Sequence, residues 1–427
     1  MTSPAPLGPT WYEASAGPAS PRPQLKGDLA ADVVVIGAGY TGLSAALHLA
    51  KAGFKTILLE ANAVGSGASG RNGGQIHSGQ RQDQVELERD FGPERARQFW
   101  ELGEEAKTLV RALAADHAID CDLKAGLIYA AWKRSDVDVL QQFVRHMANA
   151  YDYPTSWVGK AHVGDLVATD RYFGAVVDRG GGQLHPLNFA RGLARAAEAS
   201  GTTIFEASRV TAIERSASAV TLRTVGGSVR AAHVVLACDT WLGDLAYAAG
   251  RTAIAINSFV GVTEPLGAER ARALIPSDMA VADTKFVVDY YRLTADHRLL
   301  FGGGETYSPR YPADLTSIVR RPMLKVFPQL ADAKLDHVWG GPVGITRSRM
   351  PHFGWADART VFAHGFSGQG VAIAALAGKL MAEAVTGTAA RFDVYAALKH
   401  KPIPGGRLFR TPLTALGMAW YALKDRL

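Results

Sequence analysis

Residues 31–50, ADVVVIGAGYTGLSAALHLA, decide the fold. The run from Val33 to Ile36 is apolar and β-branched, which suits a strand buried on both faces of a parallel sheet. Gly37, Gly39 and Gly42 follow at once. Leu43, Ala46, Leu47 and Ala50 then recur at i, i+3, i+4 and i+7, one face of a helix. Gly53 is placed as the residue that ends it, and KTILLE at 55–60 reads as a second strand. This strand–helix–strand unit is the setting a dinucleotide fingerprint requires. Gly37 permits the tight turn, Gly39 lets the backbone approach a pyrophosphate, and Gly42 allows close helix–strand packing. Tyr40 and Thr41 open the helix, whose N-terminal N–H groups attract phosphate. Glu60 ends the second strand, where a carboxylate accepts hydrogen bonds from a ribose diol, and Ala61 follows it. The fingerprint alone does not separate FAD from NAD.

Working outward, residues 65–74 read GSGASGRNGG, with glycine at half of the positions. A loop here follows the second strand, near the carboxyl edge of the sheet where ligands bind. The loop from Gly65 to Gln75 can wrap a long cofactor, with Arg71 and Asn72 adding donors, which favours FAD. A flexible surface loop is the competing reading. A third glycine turn, Gly365-Phe366-Ser367-Gly368-Gln369-Gly370, follows a short apolar strand beginning at Thr360. It precedes a helix with Val371, Ala374, Ala375 and Gly378 on one face. A helix N-terminus aimed at the flavin N1–C2=O edge stabilises the anionic reduced ring; a plain strand-to-helix turn is the alternative.

Elsewhere the pattern is helical over 93–150 and 183–199, and short strands alternate over 202–237. Residues 254–264, 286–292 and 298–303 suit antiparallel strands of a second sheet. The expected architecture is α/β: a Rossmann-type FAD-binding domain (1–95, 180–250 and 336–427) with an inserted antiparallel-sheet, α+β substrate domain (96–179 and 251–335).

Composition narrows the class. The chain has 427 residues, 48% of them hydrophobic, enough for a large core and two domains. Its formal charge of +6 is scattered without like-charge runs, which argues against nucleic-acid binding and suits a carboxylate-bearing substrate. Two cysteines, Cys121 and Cys238, supply neither a disulfide framework nor a zinc site, and no metal is expected; a reducing cytoplasm fits. No stretch reaches the roughly 18 apolar residues of a membrane span, and residues 1–27 lack the pattern of a secretory signal. The apolar segment 413–423 reads as an amphipathic helix.

The motifs DVVVIGAGYTGLSAALHLA (32–50), GASGRNGGQIHSGQ (67–80), YYRLTADHRLLFGGG (290–304), RMPHFG (349–354), GFSGQGVA (365–372) and the C-terminal 404–427 resemble the D-amino-acid oxidase (DAO) family of FAD-dependent oxidoreductases, in its gamma-glutamylputrescine oxidoreductase-like branch. The resemblance implies that Ser69, Gly70, Arg71, Asn72, Gly73, Gly74 and Gln75 line the flavin and pyrophosphate, that Val210 pairs its backbone with adenine and that Gly365 to Val371 cover the pyrimidine side of the flavin. It implies hydride transfer from the carbon beside a neutral amine to flavin N5, imine hydrolysis, and reoxidation by O2 to hydrogen peroxide. Some relatives tether flavin through a late cysteine; none follows Cys238, so FAD is expected to be non-covalent. Oxidation of a secondary or cyclic amino acid of the pipecolate or sarcosine type is an alternative, as is a dehydrogenase passing electrons to a quinone or partner. Candidate catalytic residues are His77, just after the glycine loop, and Tyr291 and Arg292 on a strand of the second domain. Alternation puts Tyr290 and Arg292 on one face and Tyr291 on the other. Arg292 facing the cavity would pair a carboxylate. Arg349 and His352 are candidates for the cofactor edge. The oligomeric state is open.

Overall fold

A computed structural model describes residues 8–243, 245–306 and 311–404. The segment 413–423, and nearly all of the C-terminal motif, lie outside the described residues.

The strand Gly27–Ile36 stands at the centre of the first sheet. It pairs in parallel with Thr56–Leu59 on one side and Gly227–Leu236 on the other. Thr203–Phe205 extends the parallel set beyond Thr56–Leu59, and Thr360–His364 extends it beyond Gly227–Leu236. His352–Asp357 closes that edge antiparallel. Val33, Val34 and Val35 are fully buried, as a strand covered on both faces requires. The helices Tyr40–Lys51, Pro93–Asp116, Pro186–Ala199 and Gly370–Val385 share one core against it. Gly378 brings two of them together: a Cβ there would lie 2.2 Å from the Thr41 carbonyl oxygen.

The second sheet runs, in spatial order, Leu335–Thr346, Ala253–Thr263, Leu299–Thr306, Tyr290–Leu293, Ala280–Asp283, Lys124–Ala130, Gly174–Gln183 and Gln75–Ile76, with Ser156–Gly159 also paired to Gly174–Gln183. Its pairings are antiparallel except Lys124–Ala130 with Ala280–Asp283, which run parallel.

Three elements sit differently from the sequence expectation. Lys124–Ala130 is a strand inside the span expected to be helical; Leu127 and Ile128 are buried between neighbouring strands. The helix Pro93–Asp116 crosses the expected boundary at 95/96 and lays Phe99, Leu102, Val110 and Leu113 into the core of the first sheet. The strand Leu335–Thr346, expected almost entirely in the first domain, belongs to the second sheet. Periodicity shows that a helix has a buried face; it does not say which sheet that face meets. Among the described residues, no single helix is long and apolar enough to cross a membrane.

Candidate active site

The first glycine turn leaves no room for side chains. Gly37 has φ +104°, and its Cβ would lie 2.7 Å from the Ala237 carbonyl oxygen. Gly39 caps the helix Tyr40–Lys51 without a side chain, so the helix opens with bare backbone N–H groups. Ser69, from the glycine loop, takes one of them: its Oγ accepts from the Tyr40 N–H at 3.0 Å. A Cβ on Gly39 would approach that same Oγ to 2.8 Å. The loop is thereby fastened to the start of the dinucleotide helix.

Glu60 reaches back to the turn. Its carboxylate accepts from the Ala38 N–H at 2.7 Å and the Asn62 N–H at 2.8 Å. Burial raises its pKa above the ordinary carboxylate value, opposed by those N–H donors and by that of Ala61. The remaining lone pairs of such a carboxylate suit a diol.

The loop 65–74 is folded by its own side chains. Asn72 Nδ2 donates to the carbonyls of Ala68 (2.9 Å) and Ser69 (3.1 Å), and Asn72 Oδ1 accepts from the Gly74 N–H at 2.7 Å. Gly70 packs on Gly65, whose carbonyl oxygen would lie 2.2 Å from a Gly70 Cβ. Arg71 points its donors into the protein: Nε meets the Gly340 carbonyl at 3.0 Å and Nη2 that of Gly8 at 2.8 Å. Gln75 is buried and donates to the Val281 carbonyl at 2.8 Å. Gly73 presses on the ring of Tyr290.

The late turn is built around Gly365, at φ +76°, whose N–H donates to Asp239 Oδ1 at 2.7 Å. Phe366 bridges to Ile345 of the second sheet. Gln369 stands at the N-terminus of Gly370–Val385, immediately before Gly370 and Val371. Its Oε1 is buried and has no hydrogen-bond partner among the described residues. A Cβ at Gly67 or Gly368 would meet nothing within 4 Å. Bare helix N-termini, open space at two glycine loops and an unsatisfied buried amide oxygen fit an extended dinucleotide that supplies the missing partners.

His77 Nδ1 shares a hydrogen bond with the Tyr129 hydroxyl at 3.2 Å. Burial, reinforced by the positive Arg81 nearby, lowers its pKa to about 4, so it is neutral at neutral pH. The two other residues expected to be catalytic are placed otherwise. Tyr291 is fully enclosed in the core of the second sheet, stacked on Phe301 at 5.4 Å and hydrogen-bonded to the Tyr172 hydroxyl at 3.0 Å. Arg292 is 1% exposed, and its Nε donates to the Gly73 carbonyl at 2.8 Å. It points at the underside of the glycine loop, which corrects the expectation of a carboxylate clamp.

Arg349 has φ +63° and sets its guanidinium 4.9 Å from the Phe286 ring centre. His352 is engaged with Thr252 Oγ1 at 2.7 Å and His364 Nε2 at 3.1 Å; burial lowers its pKa to about 3. Val210 lies just before the strand Ala212–Arg215; backbone pairing begins with Thr211, whose N–H meets the Arg223 carbonyl at 2.8 Å. Sequence reading missed Tyr12, Trp339 and Asp239. Tyr12 donates to the Asn72 carbonyl at 2.7 Å, and Trp339 Nε1 to the Arg71 carbonyl at 2.9 Å. The pair Trp11-Tyr12 in a Pro- and Ala-rich N-terminus was the available signal.

A strand-turn-helix dinucleotide site facing a large second sheet is the plan of one flavoenzyme class. The chain belongs to the DAO family of FAD-dependent oxidoreductases, whose model matches residues 32–384, and FAD is its cofactor. Within that family it is 41% identical over 419 residues to gamma-glutamylputrescine oxidoreductase of Escherichia coli K12, covering 98% of both chains. It is 36% identical to the probable oxidoreductase OrdL of Rhizobium meliloti, covering 100% of both. Among solved structures, glycine oxidase from Geobacillus kaustophilus superposes with a TM-score of 0.73 at 22% identity, over 84% of this chain and 95% of that one. The L-proline dehydrogenase of P. horikoshii has the same fold, with a TM-score of 0.71 at 20% identity over 85% and 94%.

Proposed function

We propose that this oxidoreductase is an amine oxidase acting on gamma-glutamylputrescine or a closely related amine. The observation that carries the reading is the 41% identity to an enzyme of that name over 98% of both chains. FAD, when bound, would supply the two-electron acceptor for hydride leaving the carbon beside a neutral amine, with O2 as the final acceptor and hydrogen peroxide as its product. Water hydrolyses the substrate imine; a primary amine thereby becomes an aldehyde and ammonia.

The protein's task is to position the substrate and hold the cofactor. Gly37, Gly39 and Gly42 with the helix behind them hold the pyrophosphate, and Glu60 the ribose. The loop from Ser69 to Gln75 lines the flavin side, Gly365 to Val371 cover the ring edge, and Val210 meets the adenine. His77 faces the substrate as a neutral ring oriented by Tyr129, adding no positive charge against the amine. Arg349 lies at the cofactor edge. Tyr291 and Arg292 are left out of the substrate contacts. The two free cysteines suit a reducing cytoplasm.

An amine panel scored for peroxide and ammonia tests the reading. Gamma-glutamylputrescine is expected to yield both. Turnover of pipecolate or sarcosine with no activity on gamma-glutamylputrescine contradicts it. Rapid dye reduction by gamma-glutamylputrescine without peroxide under air sinks the oxidase part.

A further inference from the structure

Arg292 is the most deeply buried cation near the glycine loop, and its partners are neutral. Nε donates to the Gly73 carbonyl at 2.8 Å, Nη1 to the Leu293 carbonyl at 3.3 Å and Nη2 to the Tyr12 hydroxyl at 3.4 Å. Among the described residues no carboxylate lies within ion-pair distance of it. Asp122 feels its charge, and so do Tyr12 and His185, each of which burial holds toward its neutral form. Tyr12 passes the contact on, donating to the Asn72 carbonyl at 2.7 Å. Asn72 in turn holds Ala68, Ser69 and Gly74, and Ser69 holds the first amide of the dinucleotide helix. The short N-terminal helix Trp11–Ser15 is fixed on the other side by Ser15 Oγ against His185 Nε2 at 3.1 Å and by Tyr12 packing on Trp339 at 5.3 Å.

We propose that Tyr12 and Arg292 are positioning residues for the FAD loop, and that Arg292 holds a fixed positive charge at that loop which favours the reduced, more negative flavin. The inference rests on the reading that residues 69–75 line FAD. A buried charge whose hydrogen-bond partners are all neutral acts through a low dielectric and needs no reorganisation when the cofactor is reduced. The N-terminal segment is then part of the cofactor site, although it lies far from it in sequence.

Five variants of the full chain test this: Asn72→Ala, Tyr12→Phe, Arg292→Lys, Arg292→Met and Arg292→Gln. Each is read by FAD dissociation constant and by flavin reduction potential, with thermal melting as the check on folding. Asn72→Ala, Tyr12→Phe and Arg292→Lys are expected to weaken FAD binding roughly fivefold or more, the worth of one lost hydrogen bond. Arg292→Lys keeps the charge and keeps the reduction equilibrium within about twofold of the parent. Arg292→Met shifts that equilibrium against reduction by roughly tenfold, about 30 mV for two electrons. Arg292→Gln carries the same expectation should the Met variant not fold. Weakened FAD in Asn72→Ala alone, with Tyr12→Phe and Arg292→Lys binding like the parent, overturns the clamp while the loop reading stands. Equal potentials in the Met, Gln and Lys variants overturn the charge. Parent-like FAD affinity in Asn72→Ala overturns the loop reading and this inference with it.

Discussion

Gly42 has less room than its neighbours in the first turn: a Cβ there would stand 1.9 Å from the Gly37 carbonyl oxygen. Backbone cannot retreat from such a clash without opening the turn. Gly42→Ala is therefore expected to purify with little or no FAD, read as the ratio of flavin to protein absorbance; full occupancy would contradict the geometry. Tyr291→Phe tests the opposite claim. It removes one buried hydroxyl bonded to Tyr172. The expected result is a loss of about 1 kcal/mol in denaturant unfolding with kcat unchanged. A kcat reduced tenfold or more would return Tyr291 to the active site. At this scale the sequence was legible wherever the partner is local. Alternation correctly put Tyr290 and Arg292 on one face, both meeting Gly73, with Tyr291 opposite. Which face is core depends on Phe301, Phe327 and the loop at Gly73, and no local pattern carries that.

Elements that bring their own punctuation were read well. The helix to Lys51 and Gly53 just beyond it stand as expected, and the strand expected over 31–37 is found, beginning earlier, at Gly27–Ile36. The helix after His185-Pro186 does too, with His185 capping it through Nδ1. The strand Lys124–Ala130 was hidden because seven residues between two long helices offer little period-2 signal. The pairing of Gly370–Val385 with Tyr40–Lys51 was also invisible, although Gly378 was noticed on the apolar face. Gly378→Val is expected to push these helices apart and lower stability by about 1–3 kcal/mol, seen as an earlier melting transition and weaker FAD retention. A parent-like melting curve would mean that the helices can separate without cost.

Across the whole molecule, among the described residues, burial lowers the pKa of seven histidines, His48, His117 and His233 besides the four that it lowers furthest. His77, His185 and His400 have pKa values lowered to about 4, and His352 to about 3. In the unfolded chain each returns to an ordinary value near 6.5. Between about 4 and 6.5 the unfolded state thus binds more protons, and their contribution to stability is complete above 6.5 and lost as pH falls toward 4. These rings pull Tm down through that acid window, against buried carboxylates whose pKa burial raises, Glu60, Asp122 and Asp239 among them. His352→Gln is expected to make the acid decline of Tm shallower than in the parent, and an identical pH profile in the variant would contradict the burial of that ring. The α/β class and the cofactor were legible because glycine turns leave compositional marks. The domain boundaries were less so, since the helix Pro93–Asp116 and the strand Leu335–Thr346 are assigned by the distant surfaces they meet.

The central claim, that FAD in this fold accepts hydride from an amine, is tested most directly by mixing the holoenzyme anaerobically with gamma-glutamylputrescine and then admitting air. The account predicts bleaching of the flavin band within the turnover time, followed in air by its return with one hydrogen peroxide per flavin reduced. A flavin band that stays oxidised with this substrate and with every other amine tried would contradict it.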